Sequence, residues 1–256
     1  MNSAHAYISE IYSAIQGEGP LVGVRQIFIR FSICDLRCVW CDTPNSLEKN
    51  DFCFVEKASG LREYEKIKNP ISANSLINYL KSLDLSNHHS ISLTGGEPLI
   101  HSKFISAFIQ ELKSTSNIPL YLETGGHKPN ELREIVDLLD YTSMDIKLPS
   151  SAKAGNLWDK HNEFLSILLT KKNQTWVKIV ITADTDFDEL LRAVNTVKVL
   201  TEKHNKNIEV FLQPVSEINN IKPSAEVDLL MIHSKLLAVY PHIRVVPQVH
   251  KLIGQR

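Results

Sequence analysis

Two hydrophobic periods alternate along this chain. Residues 24–33 are rich in β-branched and aromatic side chains and read as a strand running straight into a group of cysteines. Residues 47–70 are polar and charged without clear periodicity, and read as an inserted loop or small excursion. Beyond them the pattern becomes regular. Helical spacing at 72–83 puts Leu76, Ile77, Leu80 and Leu83 on one face, and at 101–112 it aligns Phe104, Ile105, Phe108, Ile109 and Leu112. Short strands are expected at 90–94 and 119–124, ending in Gly95-Gly96 and Gly125-Gly126. Helices are expected at 130–139, at 158–169, from the N-cap Asp186 to about 204, and at 224–240. They alternate with strands at 141–148, 176–182, 208–213 and 243–248.

This alternation predicts an α/β fold with a mostly parallel sheet buried on both faces. No Gly/Ser-rich linker divides the chain, so residues 1–256 read as a single domain. Alternation alone leaves a barrel and a doubly wound sheet both open. In either architecture ligands gather at the C-terminal ends of the strands. The unusual residues stand there: Cys34, Gly95-Gly96-Glu97-Pro98, Glu123-Thr124-Gly125-Gly126, Asp145-Ile146-Lys147 and Gln213-Pro214. That coincidence predicts one composite site.

Composition narrows the classes. Hydrophobic residues make up 43% and charged residues 22%, an ordinary globular balance. The 28 basic and 29 acidic residues leave a net charge of -1, which argues against whole-chain attraction to nucleic acid or anionic lipid. No apolar run approaches the ~18 residues of a membrane span, and the N-terminus shows no secretory pattern. A cytoplasmic protein is expected. Three of the four cysteines fall within eight residues, a spacing for metal or redox chemistry rather than a disulfide scaffold.

Cys34, Cys38 and Cys41 form C-x3-C-x2-C. Thiolates are soft ligands that suit zinc, copper(I) or iron–sulfur clusters. A structural zinc site is usually closed by a fourth Cys or His, and Cys53, His88 and His89 stand at no zinc-finger spacing. Three thiolates in one loop suit three corners of a [4Fe-4S] cube and leave one iron open. Cys53 reads as a loop or core thiol. The cysteine spacing after a strand, with Trp40 before the last cysteine, resembles the signature of the radical S-adenosylmethionine (SAM) superfamily. Gly95-Gly96-Glu97-Pro98 resembles that superfamily's second motif, which contacts the methionine amine; two glycines at a strand end also allow close approach of a ligand. The resemblance implies a partial β/α barrel, open and trimmed, with a mostly parallel sheet. It also implies a [4Fe-4S] cluster and S-adenosyl-L-methionine as cofactors.

Three further segments narrow the resemblance: Ile15-Gln16-Gly17-Glu18-Gly19, Cys41-Asp42-Thr43, and 248–254 at the C-terminus. Together they are similar to the 7-carboxy-7-deazaguanine synthases. That family implies a ring contraction of 6-carboxy-5,6,7,8-tetrahydropterin to 7-carboxy-7-deazaguanine and ammonia. A 5'-deoxyadenosyl radical takes hydrogen from C6 of the pterin and later returns it, so SAM is not consumed. By match to the family, Thr43 is a Mg2+ ligand. Trp40, Cys41, Asp42, Gly96, Glu97, Asp145, Ile146, Lys147, Gln213 and Pro214 face SAM. Ile15, Gln16, Gly17, Thr94, His250, Lys251 and Arg256 face the pterin, with Arg30, ahead of Arg25, on its carboxylate. Many relatives carry Ser-Pro-Lys where this chain has Asp145-Ile146-Lys147. His101, His127 and Glu123 read as strand-end polar residues rather than catalysts. A flavodoxin or ferredoxin-type electron donor and a homodimer are the partners the family implies. A glycyl-radical enzyme activase is the rival within the superfamily, and a zinc-stabilised binding module the rival outside it.

Overall fold

The computed structural model describes residues 4–218, 221 and 229–255. Strands are β1 (His5–Ala6), β2 (Ile8–Ile15), β3 (Arg25–Phe31), β4 (Phe52–Glu56), β5 (Tyr64–Lys68), β6 (Ile71–Ser72), β7 (Ser90–Gly95), β8 (Leu120–Thr124), β9 (Tyr141–Asp145), β10 (Gln174–Ile181), β11 (Val210–Pro214) and β12 (Ile243–Val245). Helices are α1 (Ala73–Ser82), α2 (Ser102–Leu112), α3 (Pro129–Ile135), α4 (Pro149–Ala152), α5 (Trp158–Leu169), α6 (Phe187–His204), α7 (Leu229–Leu237) and α8 (Val249–Leu252). Ten strands form one sheet in the order β12-β11-β10-β9-β8-β7-β3-β2-β4-β5, while β1 and β6 pair separately. The seven strands from β12 to β3 run parallel, and β2 joins β3 antiparallel. Among the described residues the sheet ends at β12 and β5 without closing.

Helices cover one face of this sheet. Alternate strand residues such as Ile91, Leu93, Leu122, Met144, Val177, Ile179 and Leu212 pack with helical residues such as Leu76, Phe108, Leu132, Phe164, Val197 and Leu236 in one continuous core. Successive helices lie side by side in a single layer, α1 on α2, α2 on α3, α3 on α5, α5 on α6 and α6 on α7. A doubly wound sheet would carry helices on both faces. The arrangement is therefore that of an open β/α barrel: the strands are buried on both faces, as expected, but helices cover only one of them. The inner face carries the opposite phase: Gln26, Phe28 and Arg30 of β3, Ser92 and Thr94 of β7, Tyr121 and Glu123 of β8, Ser143 and Asp145 of β9, and Trp176 and Lys178 of β10.

Most expected elements are present within a few residues of their predicted bounds, including the Asp186 cap, whose side chain accepts from the Glu189 amide at 3.0 Å. Two departures matter. Residues 47–70 are no loop: β4 and β5 form an antiparallel hairpin that extends the sheet beyond β2. In β4 only every second residue from Cys53 turns to the core, while Phe52 and Phe54 stay exposed, so the apolar signal is split between faces. The strand β2 was not anticipated either. The first part of the helix expected at 224–240 lies outside the described residues. Among the described residues, no helix is long and apolar enough to cross a membrane.

Candidate active site

The inner face of the sheet and the loops at its strand ends enclose a cavity of about 1210 Å³. One small-molecule site usually takes ~300–1,000 Å³, so this space suits two ligands side by side. The loop after β3 contributes Cys34, Cys38, Trp40, Cys41, Asp42 and Thr43 to its wall. Gly96 and Glu97 follow β7, Asp145 ends β9 with Lys147 just beyond it, and Ile15, Gln16 and Gly17 lead out of β2. Arg30, Thr94, His250 and Lys251 also line it.

The cysteine loop is anchored from beneath. Gly95 and Gly96 pass so close to it that a Cβ on Gly95 would stand 2.4 Å from the Phe31 carbonyl oxygen, and one on Gly96 2.3 Å from that of Ile33. The two glycines are thus required by backbone packing against the chain itself. The Glu97 carboxylate accepts from the Leu99 and Gly125 amides at 3.1 and 2.9 Å and from the Thr124 hydroxyl at 2.8 Å. The loop after β8 grips the other side, with His127 Nε2 at 2.8 Å from Asp35 Oδ1 and Lys128 Nζ at 2.8 Å from Asp35 Oδ2.

The three loop cysteines are free thiols, each half-buried. Burial pushes the Cys34 thiol up to about 11 and raises that of Cys38. Both therefore need a positive partner to become thiolates, which coordinated iron supplies. Among the described residues no trio of His, Cys, Asp or Glu converges tightly enough to hold a single metal ion. Three thiols on one cavity wall suit three corners of a [4Fe-4S] cluster. Cys53 is fully buried in the core and stands apart from them. Two buried polar atoms on the same wall, Trp40 Nε1 and Asp145 Oδ1, have no partner within the chain, and both suit the hydroxyls and ring nitrogens of a nucleoside.

The floor is a buried charge network. Glu18 accepts from Lys178 Nζ at 2.7 Å, and Lys178 also lies 3.4 Å from Asp145. Burial opposes the charge on Glu18, but Lys178 holds its carboxyl below the usual range. Burial and the neighbouring Glu18 push Glu123 the other way, upward. Gln16 is fully committed: Nε2 donates to Gln26 and Glu123 at 2.9 and 2.8 Å, and Oε1 accepts from the Gly17 and Glu18 amides at 2.8 and 3.0 Å. Thr94 Oγ1 donates to Glu123 at 3.2 Å. Lys147 pairs with Asp145 at 2.7 Å and sits 4.3 Å over the Trp40 ring. Arg30 lines the cavity, paired with Glu10 at 3.1 Å and bonded to the Tyr12 hydroxyl, whereas Arg25 is outside it and donates to Ser13.

Three expected site residues stand off the cavity wall. Ile146 and Pro214 do not line the cavity, and Ile146 is buried in the core. Gln213 sits behind the wall and donates to Glu18 at 3.0 Å. Arg256 lies outside the described residues. Lys251, expected to face the pterin, lines the cavity and bonds Asp42 Oδ2 at 3.0 Å and Gln248 Oε1 at 2.7 Å. Glu18 and Gln248 stand in segments the sequence singled out but had no role assigned there, and Lys178 was not singled out. Lys178 did leave a signal: it is the one charge inside the apolar strand TWVKIVI, where a charge is tolerated only with a partner.

Known proteins are similar over the same regions. The family described as "Radical SAM superfamily" matches residues 28–156. The 7-carboxy-7-deazaguanine synthase of Geobacter sulfurreducens is 34% identical over 261 residues, covering 100% of both chains. Those of Archaeoglobus fulgidus and Methanothermobacter thermautotrophicus are 31% and 30% identical, covering 98% of this chain and 99% and 98% of theirs. The crystal structure of QueE from Escherichia coli shares the fold, with a TM-score of 0.62, 20% identity and coverage of 95% and 94% of the two chains. A radical SAM methyltransferase from Sphaerobacter thermophilus matches with a TM-score of 0.58 and 13% identity over 88% of this chain and 66% of its own. Site geometry, a [4Fe-4S]- and SAM-dependent superfamily and full-length relatives agree: the chain belongs to the radical SAM superfamily and, within it, to the 7-carboxy-7-deazaguanine synthase family.

Proposed function

We propose that this chain converts 6-carboxy-5,6,7,8-tetrahydropterin to 7-carboxy-7-deazaguanine with release of ammonia, using SAM catalytically. The observation that carries the reading is the meeting of the three loop thiols, the Gly96-Glu97 turn and the Gln16-Gly17 loop on one cavity with room for two ligands. Cys34, Cys38 and Cys41 would hold the cluster. Trp40, Gly96, Glu97, Asp145 and Lys147 would hold SAM beside it. When bound, these cofactors supply the electron and the carbon radical that the reaction needs.

The chain's own residues bind, orient and shield. Gly17, Thr94 and His250 border the pterin subsite, and Gln16 shapes it by fixing the 16–18 loop and Glu123. Glu123, pushed up by burial and by Glu18, is the floor group best able to hold a proton. Thr43 offers one neutral oxygen to Mg2+, which keeps most of its waters and takes few protein ligands. A flavodoxin or ferredoxin-type donor, a homodimer and a reducing, cytoplasmic setting complete the reading.

The test is an anaerobic reaction of reconstituted enzyme with the pterin, SAM and dithionite, with and without Mg2+. The expected result is 7-carboxy-7-deazaguanine, stimulated by Mg2+, and a stimulation blunted in Thr43→Ala with its Tm little changed. Absence of the product from iron-loaded enzyme would overturn the substrate assignment. An unchanged Mg2+ response in Thr43→Ala would remove that residue from the metal.

A further inference from the structure

Three segments with different duties meet at one side chain. Gln248 stands immediately before α8, about 7% exposed. Its Nε2 donates both to Glu18 Oε1 at 3.0 Å and to Asp42 Oδ2 at 2.9 Å. Glu18 belongs to the 16–18 loop that borders the pterin subsite, and Asp42 directly follows Cys41 in the cluster loop. Lys251 closes the third side, bonding Asp42 Oδ2 at 3.0 Å and Gln248 Oε1 at 2.7 Å. The backbone reinforces the joint: the Val249 amide donates to the Gly17 carbonyl at 3.0 Å. One carboxamide thus joins two carboxylates that would otherwise face each other, one on each of two loops that line the cavity.

We propose that Gln248 is a positioning residue that couples the two ligand subsites, so that a pterin under the tail tightens SAM binding at the cluster loop and SAM tightens the pterin in return. The inference rests on the substrate reading above. The physical ground is that Glu18 and Asp42 cannot approach a common donor unless both loops are in place, so order in one loop stabilises the other. A ligand that orders the Gly17 loop then lowers the cost of ordering Cys41-Asp42, and linkage makes the effect reciprocal. Gln248→Glu keeps the shape and the acceptor for Lys251. It replaces the shared donor with a third carboxylate, and so uncouples the loops without emptying the space.

The experiment measures affinity rather than turnover. Cluster-loaded, oxidised enzyme is titrated anaerobically with SAM by calorimetry, alone and with saturating 6-carboxypterin, an oxidised analogue with no hydrogen to give from C6. In the wild type the analogue should lower the SAM Kd by about tenfold, within the usual range of coupling between sites. In Gln248→Glu the ratio should collapse to within about twofold of one, with iron content unchanged; in Asp42→Asn it should fall part of the way. Should Gln248→Glu load iron poorly, Gln248→Met supplies the same comparison. A tail that merely covers substrate would weaken the pterin in Gln248→Glu and leave the ratio intact, and that result overturns the inference. Failure of the analogue to bind wild-type enzyme that still binds SAM overturns the substrate reading beneath it.

Discussion

Gly17 has no room for a side chain. A Cβ there would stand 2.3 Å from both the backbone nitrogen and Nδ1 of His250. The obstacle is backbone, so the tail itself must shift. Gly17→Ala should raise the KM for the pterin by on the order of tenfold or more, since a displacement of about 1 Å at a positioned group costs up to ~100-fold. SAM cleavage without pterin should change much less. Initial rates against each ligand decide the point, and equal effects on both would place Gly17 outside the substrate subsite. His161 gives a prediction in pH. It is 2% exposed, Nε2 bonds the Gly125 carbonyl at 3.1 Å, and burial pushes its imidazole down to about 4. Between that value and the ordinary ~6.5, the unfolded chain binds the proton and the folded chain does not. Stability is therefore fully present near neutrality and declines as pH falls from about 6.5 towards 4. Between pH 7 and 5 the loss is roughly 2 kcal/mol from this group. His161→Gln should flatten the fall of Tm over that interval, and an unchanged slope would contradict the assignment.

At the scale of elements, the regular βα repeats were legible because each carries one period with one buried face. The 158–169 helix is present at its expected bounds, and α6 begins at its expected cap. The β4–β5 hairpin was not legible. It is an edge pair with one half-buried strand, and β5 carries Glu65, Lys66 and Lys68, charges that keep an open edge from pairing with other chains. Its Cys53 is a core residue. Cys53→Ala should keep about four irons per chain, as the cube requires, and lower stability by about 1 kcal/mol for the small void left. Cys34→Ala, Cys38→Ala and Cys41→Ala should each lose iron instead. Iron analysis and thermal melts read the contrast, and cluster loss in Cys53→Ala would mean that the ligands are misassigned.

At the scale of the molecule, the choice between barrel and doubly wound sheet needed tertiary information, because both share the same order of elements. The single helix layer decides it, and it leaves the polar inner face free to line a cavity. Much of that wall was visible in the motifs that end each strand. The pairing in the floor was not: Glu18, Lys178 and Glu123 are far apart in sequence and become one network only when the strands align. The Asp42–Gln248–Lys251 joint was hidden for the same reason, since it brings the C-terminal tail onto a loop some two hundred residues earlier. In the proposed function this cavity holds cluster, SAM and pterin together and returns SAM intact. The most direct test supplies limiting SAM and excess pterin to reduced enzyme and counts 7-carboxy-7-deazaguanine against 5'-deoxyadenosine. Catalytic use of SAM gives many product molecules per SAM, with little 5'-deoxyadenosine; SAM consumed one for one, or consumed with no ring-contracted product, would overturn that use.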